Sequence, residues 1–99
     1  MRLNKSEIAE IVGACGRSFG DEALIWLYGS RVDDGKKGGD IDLFIEAAAQ
    51  ANVVESKLDF YVLLERKFGE QKIDVLVYER NQEETPFHKM ARRTGVRLN

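Results

Sequence analysis

Asp40 and Asp42 stand two residues apart in the run Gly39-Asp40-Ile41-Asp42-Leu43, where acids and apolar residues alternate. On a strand that spacing sends both carboxylates from one face, about 7 Å apart at the backbone, so both can lean toward one cation. Hard cations such as Mg²⁺ take carboxylate and phosphate oxygens and few protein ligands, and two carboxylates with a nucleoside triphosphate supply that set. Asp74, within Ile73-Asp74-Val75, offers a third acid. If its strand neighbours the first, alternation can bring it to the same face, where it can bind a second metal or accept a proton from an attacking hydroxyl. An Asp-x-Asp by itself is more often a solvent-facing pair after a turn. Its weight rises here because Asp42 and Asp74 both interrupt apolar strand runs, where Asp is disfavoured, so two local preferences are broken together.

Gly29-Ser30-Arg31 directly follows the apolar run from Ala23 to Tyr28. Gly29 would let backbone approach a ligand, while Ser30 and nearby amides can hold phosphate oxygens. Taken alone, the pair reads as a glycine turn with Arg31 in solvent.

The elements that must position these residues are legible from spacing. Ile8, Ile11, Val12, Cys15 and Phe19 form one helical face, with Asn4 as cap, Glu7 reaching back, Leu3 placed to staple against Ile8, and Gly20 at the end. Gly13 and Gly16 within that helix point to close approach by a neighbour. Ala23 to Tyr28 is too short for a helix and reads as a buried strand, and residues 29–39, with four glycines and the charges of Asp33, Asp34, Lys36 and Lys37, read as a solvated turn. Asp40 to Glu46 alternates as a second strand. Asn52 with Glu55 starts a second helix, whose stripe of Val54, Leu58, Tyr61, Leu64 and Phe68 stops at Gly69. Lys72 to Tyr78 alternates as a third strand. Thr85 and Pro86 open a last helix, with Phe87, Met90, Ala91 and Thr94 along one side until Gly95. The order helix, strand, strand, helix, strand, helix predicts an α+β domain over residues 1–99, a small mixed three-stranded sheet with helices packed on one face.

Bulk properties narrow the function classes. The chain has 99 residues, 43% hydrophobic and 32% charged, which is the range of one globular domain. A formal charge of −2 lacks the basic excess of a dedicated nucleic-acid binder. A lone Cys15 excludes an internal disulfide and a zinc cluster, and the single His88, read as exposed, leaves no imidazole pair for a metal. The absence of a long apolar run or a secretory h-region points to a cytoplasmic protein with no membrane role. Lys89, Arg92, Arg93 and Arg97 read as a solvated basic face or, failing that, a partner-docking one. Cys15 and Trp26 read as core residues; Tyr28 does too, though its place beside the Gly-Ser turn also suits the wall of a base pocket.

In combination, Gly29-Ser30-Arg31 at a strand end, Gly35 in the loop, Gly39-Asp40-Ile41-Asp42-Leu43 and Ile73-Asp74-Val75 resemble the DNA polymerase β-like nucleotidyltransferase superfamily, and within it the minimal nucleotidyltransferases. That resemblance implies a Gly-Ser turn holding phosphates, at Gly29, Ser30 and Arg31. It implies paired acids binding Mg²⁺ at Asp40 and Asp42, and a third acid at Asp74. Gly39 stands where many members have Ser, and Val32 where a small Ala is usual. Members of this minimal type are commonly encoded beside a small helical HEPN protein as a toxin and antitoxin pair. The resemblance therefore implies an antitoxin that transfers AMP from ATP to a tyrosine of the HEPN ribonuclease. The rival readings are an antitoxin that blocks its partner by covering it, and nucleotidyl transfer to a small molecule such as an aminoglycoside, for which the chain leaves little length to build an acceptor pocket.

Overall fold

The computed structural model describes residues 3–29 and 40–99. Helix α1 (Lys5–Phe19) is followed by strand β1 (Leu24–Tyr28), strand β2 (Ile41–Ala47), helix α2 (Val53–Phe68), strand β3 (Ile73–Glu79), helix α3 (Pro86–Thr94) and a two-residue strand β4 (Val96–Arg97). The helix boundaries follow the capping residues. Asn4 Oδ1 accepts from the Glu7 amide at 2.8 Å while Glu7 Oε1 accepts from the Asn4 amide at 2.9 Å, and Asn52 caps α2 through the Glu55 amide.

The sheet order is β3-β2-β1-β4. β1 pairs antiparallel with both β2 and β4, whereas β2 and β3 pair in parallel, with α2 carrying the chain between them. The sheet is mixed as expected but has four strands, not three. Val96 and Arg97 are too few to show alternation in a sequence; they become a strand because β1's outer edge offers unpaired backbone groups. The Leu98 amide donates to Ile25 O, and the Asn99 side chain bonds Ile25 N and Ala23 O, which extends that edge to the end of the chain.

Expectation fails more sharply on the helices, which do not share one face. α1 and α2 pack on the side that presents Ile25, Leu27, Ile41, Leu43, Ile45 and Val75, where Ile11, Cys15, Phe60 and Leu64 complete a fully buried core. α3 packs on the other side. There Ala91 covers Trp26 and Phe44, with Leu24, Leu76 and Tyr78 around them. The physical reason is that β1 is apolar on both faces and that Phe44 and Leu76 continue this second apolar surface, so it needs its own cover.

Three further readings are corrected. In α2, Phe60 and Leu64 face the core, whereas Val54 and Leu58 join Val62 on the exposed side, because positions 58 and 60 lie nearly opposite on a helix. In α3, Phe87 is exposed and does not join Ala91 in the core. A Cβ at Gly13 would meet nothing within 4 Å, and one at Gly16 only Asp21 Oδ1 at 3.6 Å, so neither glycine marks a tight crossing.

Candidate active site

The parallel register brings the acids together. Asp42 and Asp74 are direct Cα partners across β2 and β3, which sends both side chains from the same face. Asp40 lies two residues before Asp42, just ahead of the strand, and its carboxylate shares a cation with that of Asp74. The register thus sets Asp74 beside Asp42, with Asp40 two residues ahead of Asp42. The cluster lies at the amino ends of β2 and β3 beside the carboxyl end of β1, where Tyr28 is the antiparallel partner of Asp42. α3 covers this face farther along the strands, at Phe44, Trp26, Leu76 and Tyr78, and leaves the acids open: Asp40 and Asp74 have half-exposed side chains.

Gly29 fits this corner for a reason different from ligand approach alone. Its φ is +78°, and a Cβ there would lie 2.5 Å from Asp42 Oδ2. The positive φ is what favours glycine here, and a side chain would in addition press the tip of the Asp42 carboxylate aside. Ser30 and Arg31, and with them Val32, Gly35 and Gly39, lie outside the described residues.

Neighbouring acids and one lysine set the electrostatics among the described residues. Partial burial, then the charges of Asp74 and Asp40, push the Asp42 carboxyl above its ordinary range, with Lys72 opposing. Burial and the charges of Asp42 and Asp74 likewise raise the Tyr28 phenol. Lys72 is the residue that sequence reading passed over. Its Nζ lies 4.0 Å from Asp40 Oδ2 and 3.9 Å from Asp74 Oδ2. The signal was present, since Lys72 is two residues before Asp74 and belongs to the same alternating face.

Among the described residues, no three Asp, Glu, His or Cys side chains stand close enough to cage an ion as they are placed. The donor set nevertheless suits Mg²⁺: three carboxylates, with no imidazole or thiol, are hard oxygen ligands that leave positions for phosphate and water.

Several other candidates resolve into structural roles. Arg92 does not belong to a solvated basic face. Its guanidinium pairs with Glu46 and Glu84 and lies over the Trp26 and Phe44 rings, at 5.6 and 5.4 Å from their centroids. Burial works against its charge, but hydrogen bonds and ion pairs with the two glutamates outweigh that and raise its pKa. His88 is not simply exposed either. It stacks on Phe44 and Tyr78, and its Nδ1 accepts from the Thr85 amide at 3.1 Å, closing the cap of α3. Cys15 is buried, and desolvation pushes its thiol up to about 12, which leaves no thiolate for chemistry. A groove of about 410 Å³ between α1 and α2 lies on the face of the sheet away from the acids.

Two parallel strands of a β-α-β unit thus carry neighbouring acids at one end of the sheet. A family model described as a nucleotidyltransferase domain matches residues 8–97, a span that takes in Gly29, Asp40, Asp42 and Asp74. The chain belongs to that nucleotidyltransferase family, and nucleotidyl transfer is the reaction class that membership carries. No curated protein matches it. No helix among the described residues is long and apolar enough to cross a membrane.

Proposed function

We propose that the protein is a Mg²⁺-dependent nucleotidyltransferase that moves AMP from ATP to a protein hydroxyl, a tyrosine of a small helical HEPN toxin, and so acts as the antitoxin. The observation that carries the reading is the register pairing of Asp42 with Asp74, with Asp40 on the same open corner. The family match supports the reaction class; the acceptor and partner rest on the resemblance of the motifs to minimal nucleotidyltransferases.

Asp40, Asp42 and Asp74 would hold Mg²⁺. When bound, it neutralises charge on the triphosphate and on the departing pyrophosphate. Asp74, the more exposed strand acid, accepts the proton of the attacking tyrosine hydroxyl. The tyrosine oxygen forms its bond to the α-phosphorus, the bond from that phosphorus to the bridging oxygen breaks, and pyrophosphate leaves. Gly29 leaves space for the Asp42 carboxylate at the end of β1. Ser30 and Arg31 contribute to the phosphate grip. The exposed Phe87, on the helix that covers the acid face, suits contact with a partner whose tyrosine must reach the acids.

The test is transfer of label from ATP radiolabelled at the α-phosphate to a co-purified HEPN protein in Mg²⁺. Asp42→Asn keeps the shape of the side chain and removes its charge, and the rate is expected to fall by about a hundredfold or more. Transfer by the Asn variant at the wild-type rate would exclude metal catalysis through this pair. Neutralisation of the partner by both proteins without any transfer would establish the covering antitoxin instead, and label on an aminoglycoside with none on protein would establish a small-molecule acceptor.

A further inference from the structure

The acid corner already holds a cation of its own. Lys72 lies immediately before β3, and its carbonyl accepts from the Ile41 amide at 3.0 Å, which seats it beside Asp40 at the first rung of the parallel pair. Its side chain leaves the same face as Asp74, and its Nζ stands at nearly equal distances from Asp40 and Asp74. Among the described residues, both ion pairs made by these acids are with Lys72. A divalent cation held by these two carboxylates would have to share them with the ammonium, which stands beside Oδ2 of each.

We infer that Lys72 is a built-in counter-ion that competes with a divalent cation for Asp40 and Asp74, and that it thereby lowers the affinity of the empty site for free metal. The inference rests on the proposed metal-dependent reading and adds a consequence to it. Free metal has to compete with a tethered ammonium, whereas metal arriving with a triphosphate brings phosphate oxygens as further ligands and an anion to which the released ammonium is attracted. Lys72 thus favours loading of the metal–triphosphate complex over bare metal. The Lys72 pairs are exposed and near the limit of contact distance, so the effect is modest, as expected of a screened surface pair.

The test is binding of Mn²⁺ alone to the nucleotide-free protein, followed by electron paramagnetic resonance, which reads free metal and is independent of turnover. Lys72→Gln is expected to bind Mn²⁺ about three- to tenfold more tightly than wild type at low salt. Lys72→Arg, which keeps the charge, is expected to stay within about twofold of wild type. Folding of each variant is checked by circular dichroism, and since the side chain is two-thirds exposed both should fold. Unchanged or weaker binding in Lys72→Gln, or equal tightening in Lys72→Arg, overturns the inference while leaving the metal-dependent reading in place. No Mn²⁺ binding by wild type or either variant, with or without ATP, overturns both.

Discussion

Asp42 is the residue on which geometry and electrostatics converge. Its carboxyl is partly desolvated and faces Asp74 and Asp40, so its pKa is raised and the native state binds its proton more tightly than the unfolded chain does. The charged form therefore costs stability at neutral pH, and that cost is relieved as pH falls through the raised value. Asp42→Asn is expected to raise the metal-free Tm at pH 7, to lose that advantage as the pH is lowered through the carboxylate range, and to show it most clearly at low salt. Thermal melts at several pH values check the sign. Gly29→Ala tests the neighbouring constraint. It places a Cβ 2.5 Å from Asp42 Oδ2 on a backbone with φ +78°, and about 1–3 kcal/mol of stability should be lost. Combining it with Asp42→Ala should recover the part due to the clash and leave the part due to φ, which denaturant titrations of the double-mutant cycle can separate.

Among the elements, α3 depends most on a single small residue. Gly95 ends the helix where a Cβ would lie 2.7 Å from Ala91 O and 2.9 Å from Leu27 O, both backbone atoms that cannot step aside. Gly95→Ala is expected to cost about 1–3 kcal/mol and to loosen α3 from the sheet. Hydrogen exchange should accelerate across residues 86–94 more than across α1; uniform protection would mean that the helix adapts. Arg92 holds the same helix from the other side, clamped by Glu46 and Glu84 and resting on Trp26 and Phe44. A basic residue counted from its helix as solvated is therefore a packing residue, which only the partner strand reveals.

Over the whole molecule the two sides of the sheet divide the work. One side carries the large core with α1 and α2, and the other gives part of its area to α3 and leaves an acid corner open. Cys15 sits in the large core at 1% exposure with its thiol pushed up to about 12. Its reaction with a disulfide reagent should be negligible in the native protein and should follow the same denaturant midpoint as the circular dichroism signal. Early modification at low denaturant would show that the α1 side opens before the sheet does.

What the chain alone determined is local. Caps at Asn4, Asn52 and Thr85, stops at Gly20, Gly69 and Gly95, and the two-residue alternation around Asp42 and Asp74 depend on neighbours within a few residues, so the three helices and the three longer strands were legible. What needed the tertiary structure is every relation between elements. The parallel rung that sets Asp74 opposite Asp42, the seat of Lys72 between Asp40 and Asp74, the inward turn of Arg92 and the short strand at Val96 all depend on residues distant in sequence. Alternation tells which residues share a face of one strand; it carries no information about which strand lies alongside or whether a helix will cover that face. For that reason the acids, and the face that Lys72 shares with Asp74, could be read from the sequence, while the seat of Lys72 between two acids and the helix beside them could not.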